Sequence, residues 1–250
     1  MENKQKIVII GATSAMAEHC ARLWLQNKAV ELILVGRNAG RIEPIANDLR
    51  VRSPKSDIHV VEAEFLQPAA IQATVDNIVA TGPVDVVLIA HGSLPEQADC
   101  QNNLAACHDA LVVNGVSPVL FAEAFAQHMA QAGSGTLVLI GSVAGDRGRK
   151  SNYVYGSAKG LVTRYAQGLQ HRFAGTGVKV VLVKPGPTDT PMTAQLKSGG
   201  VKLAPVADVA QQIVDAVGRG QAVAYVPGKW RVIMMVIRHL PAFVFNKLNI

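Results

Sequence analysis

The sequence contains few cysteines and few aromatic residues. Its three cysteines, Cys20, Cys100 and Cys107, form no CxxC pair and show no spacing typical of a zinc site or a disulfide framework. We therefore expect free thiols in a reducing compartment and no metal site. Aromatic residues make up 5% of the chain and hydrophobic residues 49%, a balance that suits a sheet rich in valine, isoleucine and alanine.

Signals for export and for nucleic-acid binding are also missing. The first residues, MENKQK, lead directly into a short apolar run, so we expect no secretory signal and a cytoplasmic protein. The formal net charge is +6, but the basic residues are scattered, with no zinc-finger spacing, basic helix or aromatic RNA-binding motif. We expect no nucleic-acid partner, whereas a phosphorylated ligand or an anionic membrane surface would use the positive charge.

Short apolar runs alternate with stretches that are long enough for helices. The runs are rich in Val, Ile and Leu without strict alternation, which is typical of strands buried on both faces. Right-handed crossovers between them predict an α/β fold, a Rossmann-type doubly wound parallel sheet of about seven strands in a single domain. We assign residues 1–227 to this domain and 228–250 to an apolar and basic C-terminal tail. The predicted strands are 6–10, 31–36, 58–63, 84–90, 135–141, 178–183 and 222–226.

The segment GATSAMA, residues 11–17, follows the first predicted strand and precedes an apolar-periodic helix, where a phosphate-binding loop is expected. Of the three glycines of the usual dinucleotide fingerprint it keeps only Gly11, at the tight turn, and has Ala15 and Ala17 at the other positions. The hydroxyls of Thr13 and Ser14 could meet a phosphate, or Ser14 could cap the helix. Alone, the segment is equally compatible with a turn that binds no ligand.

Chemically active side chains follow later in the chain. Tyr155 and Lys159 lie one turn apart on a predicted helix, and a nearby ammonium would bring the phenol pKa toward the working range, although such pairs also occur on solvated faces. Ser142 follows a predicted strand, where a hydroxyl can donate to a carbonyl oxygen. Asn114 lies within a predicted helix, where its amide needs a specific partner. The turn-rich segment PGPTDT, 185–190, predicts a loop over a bound ligand.

In this order, the segments resemble the short-chain dehydrogenase/reductase family over residues 5–227. The resemblance is carried by GATSAMA, AEFLQ (63–67), Asn114, IGSVAG with Ser142, YGSAK and PGPTDT. It implies that Tyr155 protonates a carbonyl oxygen as hydride arrives from a nicotinamide, while Ser142 orients that oxygen. It also implies that Lys159 lowers the Tyr155 pKa and binds the nicotinamide ribose, and that Asn114 holds a water in a proton relay.

A set of cofactor-binding residues also follows from the resemblance. Glu64 is expected at the adenine, and Thr190 and the backbone of Thr188 at the nicotinamide carboxamide and the pyrophosphate. The family's Asn-Ala-Gly after the fourth strand is replaced here by Ala90, His91 and Gly92, and His91 could touch a ribose or be a packed or solvent-facing histidine. The expected set is Gly11, Thr13, Ser14, Ala15, Met16, Arg37, Glu64, Phe65, Ala90, His91, Gly92, Tyr155, Lys159, Pro185, Gly186, Thr188 and Thr190.

The choice of cofactor is read at the end of the second strand. Gly36 occupies the position of the acidic residue that binds a ribose 2′-hydroxyl in NAD enzymes, and Arg37 follows it. An arginine there favours a 2′-phosphate, so NADP(H) is predicted, the alternative being that Arg37 is simply a surface residue.

The basic loop and the tail bear on the substrate. Arg147, Arg149 and Lys150 lie between Ser142 and Tyr155, as a solvated loop or as a site for a phosphorylated substrate. The tail is too interrupted to span a bilayer and is expected to lie in the membrane interface through Trp230, Ile233, Met234, Ile237 and its phenylalanines, or to pack on the protein or on another subunit.

Together with GATSA and DRGR, the tail makes the sequence similar to the decaprenylphosphoryl-2-keto-ribose reductase branch of the family, which reduces a lipid-linked keto sugar. The prediction is therefore an NADPH-dependent reductase of a small-molecule or lipid-linked carbonyl compound, such as a lipid-linked or phosphorylated keto sugar. It is expected to be a homo-oligomer at the inner face of the membrane. Reduction of acyl or other small ketones, or a non-catalytic redox sensor that binds NADP, are the alternatives.

Overall fold

Each predicted apolar run forms a strand of a parallel sheet. A computed structural model describes residues 4–248, with the side chains of Asn27, Lys197 and Ser198 outside the description, so the predicted ranges 1–227 and 228–250 extend beyond it at both termini. Within it a seven-stranded sheet has the order β3-β2-β1-β4-β5-β6-β7. The strands are β1 Gln5–Ile10, β2 Val30–Gly36, β3 Asp57–Glu62, β4 Val86–Ile89, β5 Ser134–Ile140, β6 Gly177–Pro185 and β7 Val223–Val226.

Helices cover both faces of this sheet. A π-helical turn, Val112–Val116, joins α5 to α6, and short 3-10 turns cover Val143–Asp146 and Pro191–Thr193. The helices are α1 Ala15–Asn27, α2 Ala39–Arg52, α3 Pro68–Val79, α4 Gln97–Asn102, α5 Leu104–Leu111, α6 Ser117–Ala132, α7 Tyr153–Arg172, α8 Ala194–Ser198, α9 Val206–Gly218, α10 Trp230–His239 and α11 Ala242–Phe245. The doubly wound α/β fold is thereby confirmed.

The strand order reverses between β1 and β4, and this reversal positions the site. Ile10 pairs with Val35 of β2 on one side and with Ile89 of β4 on the other, so all three strands end at the same level. In open α/β sheets, ligands bind beyond the carboxyl ends of the strands at such a switch point.

Two apolar layers hold the sheet between its helices. Alternate residues of β1 face opposite sides: Ile7 and Ile9 join one layer, with α1, α2 and α9, and Val8 and Ile10 join the other, with α3, α6 and α7. Burying each such side chain contributes about 1.5–3 kcal/mol. The edge strand β3 differs, because buried Ile58 is followed by exposed His59. The expectation of burial on both faces is thus wrong for this strand, which α2 covers on one face.

The longest apolar helical stretch contributes its second half to the core. Leu104–Ala132 is long and apolar enough to cross a membrane, by length and composition alone. Its α6 part places Phe121 and Phe125 in the layer beneath the sheet, with almost no solvent exposure. A core helix meets the same criterion as a spanning one, and we interpret the α6 part as a core helix, whereas most of α5 is exposed.

The tail packs on its own chain with one face. Met234 of α10 is fully buried. The Nη1 group of Arg147 donates to the carbonyl oxygens of Ile237 and Leu240, both at 2.6 Å, and the guanidinium lies 3.7 Å from the ring centroid of Phe245. The expectation that Met234 faces lipid is therefore wrong, because Met234 lies on the face of α10 that packs against the Val143–Asp146 turn and β7.

Candidate active site

Two adjoining cavities lie at the carboxyl edge of the sheet. Their volumes are about 410 and 260 Å³. We call the larger of the two the Tyr155 end, because Ser142, Tyr155 and Lys159 line it. We call the smaller the Arg37 end, because Gly11 and Arg37 line it. The two ends form one cleft, because the same residues line both: Ser14, Ala90, His91, Gly92, Ser93 and Met192.

The turn after β1 brings the start of α1 to this cleft. Gly11 has φ +89°, a conformation that side chains other than glycine rarely adopt, and an added Cβ would lie 2.6 Å from the backbone nitrogen of His91. Ser14 precedes α1, and its hydroxyl makes no capping hydrogen bond to the helix. The first turn of α1 therefore retains N–H groups and a hydroxyl that can meet an anion.

At the Arg37 end, an arginine stands without an acidic partner. Arg37 is exposed and lines the smaller cavity, and across residues 4–248 no carboxylate forms an ion pair with it. Phe65 lines the same cavity. Two residues of the expected cofactor set lie apart: Ala15 does not line either cavity, and the Glu64 carboxylate accepts from the N–H groups of Phe65 and Leu66 at 2.9 and 2.7 Å.

His91 is a packed histidine with one unpaired nitrogen. Its ring makes edge contacts with Phe65 and Phe121, with centroid distances of 4.9 and 5.7 Å. The Ser117 hydroxyl donates to the Phe65 carbonyl, so His91 Nε2 carries the hydrogen that joins it to Ser117 at 2.8 Å. Buried Nδ1 is left as an acceptor without a partner. Desolvation, with smaller effects of Lys159 and Arg37, lowers the His91 pKa to about 3, so the ring is neutral.

At the Tyr155 end, the chain brings together three of the predicted catalytic side chains. The Ser142 hydroxyl lies beside the Tyr155 phenol and accepts from the Ala144 N–H at 3.1 Å. Lys159 Nζ donates to the Ile140 carbonyl at 3.0 Å and lies 5.8 Å from the Tyr155 ring centroid. The end of β5 and one face of α7 therefore supply a hydroxyl, a phenol and an ammonium to one cavity.

Burial shifts the pKa values of Tyr155 and Lys159 in opposite directions. Desolvation raises the pKa of Tyr155 to about 12, and the hydrogen bond from Ser142 opposes it. The expected lowering of the Tyr155 pKa by Lys159 is therefore not found. Desolvation lowers the pKa of Lys159 to about 8. At neutral pH the phenol is protonated, as a proton donor must be, and the lysine still carries its charge.

Asn114 lies in the π-helical turn and closes the back of this group. It is fully buried, its Nδ2 donates to the Ala110 carbonyl at 2.9 Å, and its Oδ1 accepts from the Ser93 N–H at 2.8 Å. An added Cβ on Gly92 would lie 2.8 Å from Asn114 Oδ1 and 3.7 Å from Lys159 Nζ. The amide thus has the specific partners that a buried asparagine within a helix requires, and it lies close to the lysine.

The loop after β6 forms the opposite wall of the Tyr155 end. The buried Thr188 hydroxyl donates to the Gly186 carbonyl at 2.9 Å, and the Thr190 N–H meets the Thr193 hydroxyl at 3.2 Å. The expected residues Pro185, Gly186, Thr188 and Thr190 all line this cavity, as does Met16 from α1. Trp230 of the tail lines it as well, so the expectation that this indole lies in lipid is wrong.

A buried network that sequence reasoning missed ties these walls together. The carboxylate of Asp146, three residues before Arg149, accepts two hydrogen bonds. Its Oδ1 accepts from Lys184 Nζ, and its Oδ2 accepts from the Tyr225 hydroxyl at 2.7 Å. The side chains of Asp146 and Lys184 are almost completely buried. Lys184 in the otherwise apolar run VVLVKP, residues 180–185, was the available signal, since a buried ammonium needs a counter-charge.

The two arginines of the basic loop separate. Arg149 lines the Tyr155 end, whereas Arg147 does not, because its guanidinium is held by the tail carbonyls. Exposed Lys150 does not line the cavity either. Of the three basic residues of this loop, Arg149 is therefore the one that stays a candidate to bind a substrate phosphate.

The chain is similar to several known proteins. The model of the family described as short chain dehydrogenase matches residues 5–200. A Streptomyces coelicolor protein named as an uncharacterized oxidoreductase is 30% identical over 245 residues, 98% of this chain and 96% of that protein. A solved short-chain dehydrogenase from Sphingobium yanoikuyae in complex with NADPH has a TM-score of 0.81 at 20% identity, over 98% of this chain and 96% of that one. An actinorhodin polyketide ketoreductase variant with NADPH has a TM-score of 0.80 at 21% identity, over 90% and 97%.

Proposed function

The chain belongs to the short-chain dehydrogenase family, and from this premise we propose that it reduces a carbonyl group to an alcohol with NADPH as the hydride donor. The observation that carries the proposal is the convergence of Ser142, Tyr155 and Lys159 on one cavity, next to the start of α1. The relative from Streptomyces coelicolor is named an oxidoreductase, which supports the reaction class.

The residues of the cleft fit such a cofactor. Gly11 makes a tight turn with φ +89°, in which an added Cβ would collide with the His91 backbone, and the Ser14 hydroxyl is not used to cap α1, so this turn suits the pyrophosphate. Arg37, without an acidic partner among the described residues, suits a ribose 2′-phosphate. The unpaired buried Nδ1 of His91 suits a ribose hydroxyl as donor. The loop from Pro185 to Thr190 suits the nicotinamide.

Proton transfer is the part of the reaction that the chain itself performs. When bound, NADPH supplies the hydride that becomes bonded to the carbonyl carbon. Tyr155 donates its phenolic proton to the carbonyl oxygen, which leaves an alcohol and a phenolate. Ser142 donates a hydrogen bond that orients the oxygen, and the Lys159 charge stabilises the phenolate until a proton returns. Asn114, beside Lys159, binds the water molecule through which that proton returns.

Removal of the phenolic hydroxyl of Tyr155 tests its role as the proton donor. Tyr155→Phe is expected to lower NADPH oxidation on the best ketone of a panel by about 10²–10⁴-fold, the usual contribution of a positioned acid, with NADPH affinity nearly unchanged. Tyr153→Phe is the matched control, because this tyrosine lies on the same helix and is 42% exposed. Unchanged turnover in Tyr155→Phe would refute the mechanism. NADPH binding without oxidation of any ketone would favour the redox-sensor alternative.

The substrate is proposed to carry an apolar chain, as in a lipid-linked keto sugar. Three apolar side chains at the mouth of the Tyr155 end, Met192, Leu196 and Val201, are exposed to solvent. Trp230 continues this wall from the tail. Such a surface would contact a long acyl or prenyl chain attached to the reacting ketone. A small ketone without a chain, the alternative, would leave it uncovered.

The outer face of the tail supports peripheral attachment to an anionic membrane at the cytoplasmic side. Val232, Met235 and Val236 of α10 are 60%, 57% and 53% exposed, and Phe243 of α11 is 72% exposed. Exposed basic residues surround them, and the segment 228–250 contains no acidic residue. An apolar stripe with basic flanks matches the interface of an anionic bilayer. The basic residues are Lys229, Arg231, Arg238 and Lys247.

Sedimentation with vesicles tests the attachment. The full chain is expected to co-sediment with phosphatidylglycerol vesicles more than with phosphatidylcholine vesicles, and less at high salt. Val236→Glu should release it, whereas Val51→Glu, at a valine 81% exposed in α2, should not. If the protein remains in the supernatant, the membrane attachment is refuted; if Val236→Glu also dissociates an oligomer, the face is a contact between copies of the chain, as the expected homo-oligomer would require.

A further inference from the structure

Arg149 places an uncompensated positive charge on the wall of the Tyr155 end. Its side chain is partly buried, and its Nε is buried without an acceptor. Desolvation lowers the pKa of Arg149, with a smaller opposing effect of Asp146, yet a guanidinium remains protonated at neutral pH. A buried N–H group without an acceptor destabilises the fold, and a bound acceptor would remove that cost.

The charged side chains nearest Arg149 in the loop, Asp146 and Arg147, already have other partners. Both carboxylate oxygens of Asp146 are used, by Lys184 and by Tyr225. Arg147 donates to two tail carbonyls, which are neutral and leave its charge in place. In the described part of the chain no carboxylate forms an ion pair with Arg149. The loop therefore presents net positive charge to the cavity.

The position of Arg149 indicates which ligand meets it. It lines the larger cavity with Ser142 and Tyr155, whereas Gly11 and Arg37 line the smaller one. The phosphates of the proposed cofactor belong with Gly11 and Arg37, so the Arg149 guanidinium remains for the substrate. Asn152, on the same wall, has a buried Oδ1 without a donor, which suits a substrate hydroxyl.

We propose that Arg149 binds a phosphoryl group of the ketone substrate, with Asn152 accepting from a neighbouring hydroxyl. This rests on the proposed function and narrows its substrate to phosphorylated polyhydroxy ketones. The planar guanidinium matches two phosphate oxygens at once, a pairing that lysine cannot make. The phosphoryl group can be a monoester, as in a free sugar phosphate, or a diester, as in a lipid-linked sugar.

Calorimetry on the full chain saturated with NADP⁺ tests the site. The probes are dihydroxyacetone phosphate as a monoester, dibutyl phosphate as a diester and neutral dihydroxyacetone. At least one phosphorylated probe is expected to bind tenfold or more tightly than dihydroxyacetone, a difference of about 1.4 kcal/mol. Arg149→Gln should abolish this preference, and Arg149→Lys should restore only part of it. Lys150→Ala is the matched control, because it removes an exposed charge of the same loop and should preserve the preference.

The outcomes separate this site from the proposed reaction. A preference for the monoester assigns a free sugar phosphate, and a preference for the diester assigns a lipid-linked phosphate. Equal affinities for charged and neutral probes, or a preference that survives Arg149→Gln in a variant with an unchanged melting temperature, would overturn the proposal. If the protein does not bind NADPH, the proposed function fails, and the same titration without cofactor still tests Arg149.

Discussion

A methyl group at Gly186 should expel the Trp230 indole from the cavity wall. Gly186 follows Pro185 at the end of β6, and its N–H donates to the Val226 carbonyl at 2.9 Å. An added Cβ would lie 1.9 Å from Trp230 Nε1 and 2.4 Å from its Cε2. The φ of Gly186 is not positive, so alanine meets no backbone strain there and its cost arises from the indole.

The size of the effect follows from this overlap. The indole, a rigid bicyclic ring, would have to move by roughly 1 Å or more, and overpacking of this kind costs about 1–3 kcal/mol. Alanine also reduces the entropy of the unfolded chain, which stabilises by about 0.4–1 kcal/mol. Gly228→Ala provides the reference for that gain, because an added Cβ there has no neighbour within 4 Å.

A double-mutant cycle measures the contact. Relative to Gly228→Ala, we expect Gly186→Ala to lower the free energy of unfolding in urea by about 1–3 kcal/mol. In a Trp230→Ala background the same substitution should cost less than about 0.5 kcal/mol, because the space is open. The Michaelis constant for the ketone should rise with the displaced indole. Equal costs in both backgrounds would refute the assigned contact.

Three further predictions concern the cofactor, the tail and pH. Arg37→Ala should reduce the preference for NADPH over NADH, expected to be about tenfold or more, to near unity by calorimetry, and equal affinities in the unmodified protein would contradict the NADP assignment. Arg147→Ala should accelerate tryptic cleavage of the tail while Lys150→Ala does not, because Arg147 and not Lys150 donates to the tail carbonyls; equal cleavage rates would argue against this anchor. Because burial lowers the pKa of Lys159 to about 8 and only the protonated lysine stabilises the Tyr155 phenolate, the rate of reduction should fall as pH rises through about 8. A flat profile from about pH 7 to 10 would exclude that role.

Lys159 also links the site to the stability of the fold. Its pKa is about 8 in the folded chain and about 10.5 in the unfolded one, so between these values the unfolded chain binds more protons. The contribution of this residue to the free energy of unfolding therefore rises with pH across that window. The protonated form that the chemistry needs is the form that costs stability.

The sequence by itself determined the fold and the order of the site. A strand that is buried on both faces needs several consecutive apolar side chains, so an apolar run predicts a strand. The runs at β1, β5 and β6 were located to within a few residues. Tyr155 and Lys159 share a helix face by their spacing alone, and Ser142 directly follows β5. These relations are local, or follow from the rule that parallel strands end at one edge.

Only the tertiary structure decided how the loop and the tail divide their roles. Arg147 and Arg149 have equivalent sequence surroundings, yet one is held by carbonyls about ninety residues away and the other lines the cavity. Trp230 lines the cavity and Met234 is fully buried while Met235 stays exposed, because one face of α10 packs against the Val143–Asp146 turn and β7. Such contacts join segments that no periodicity relates, so the chain must fold before they are defined.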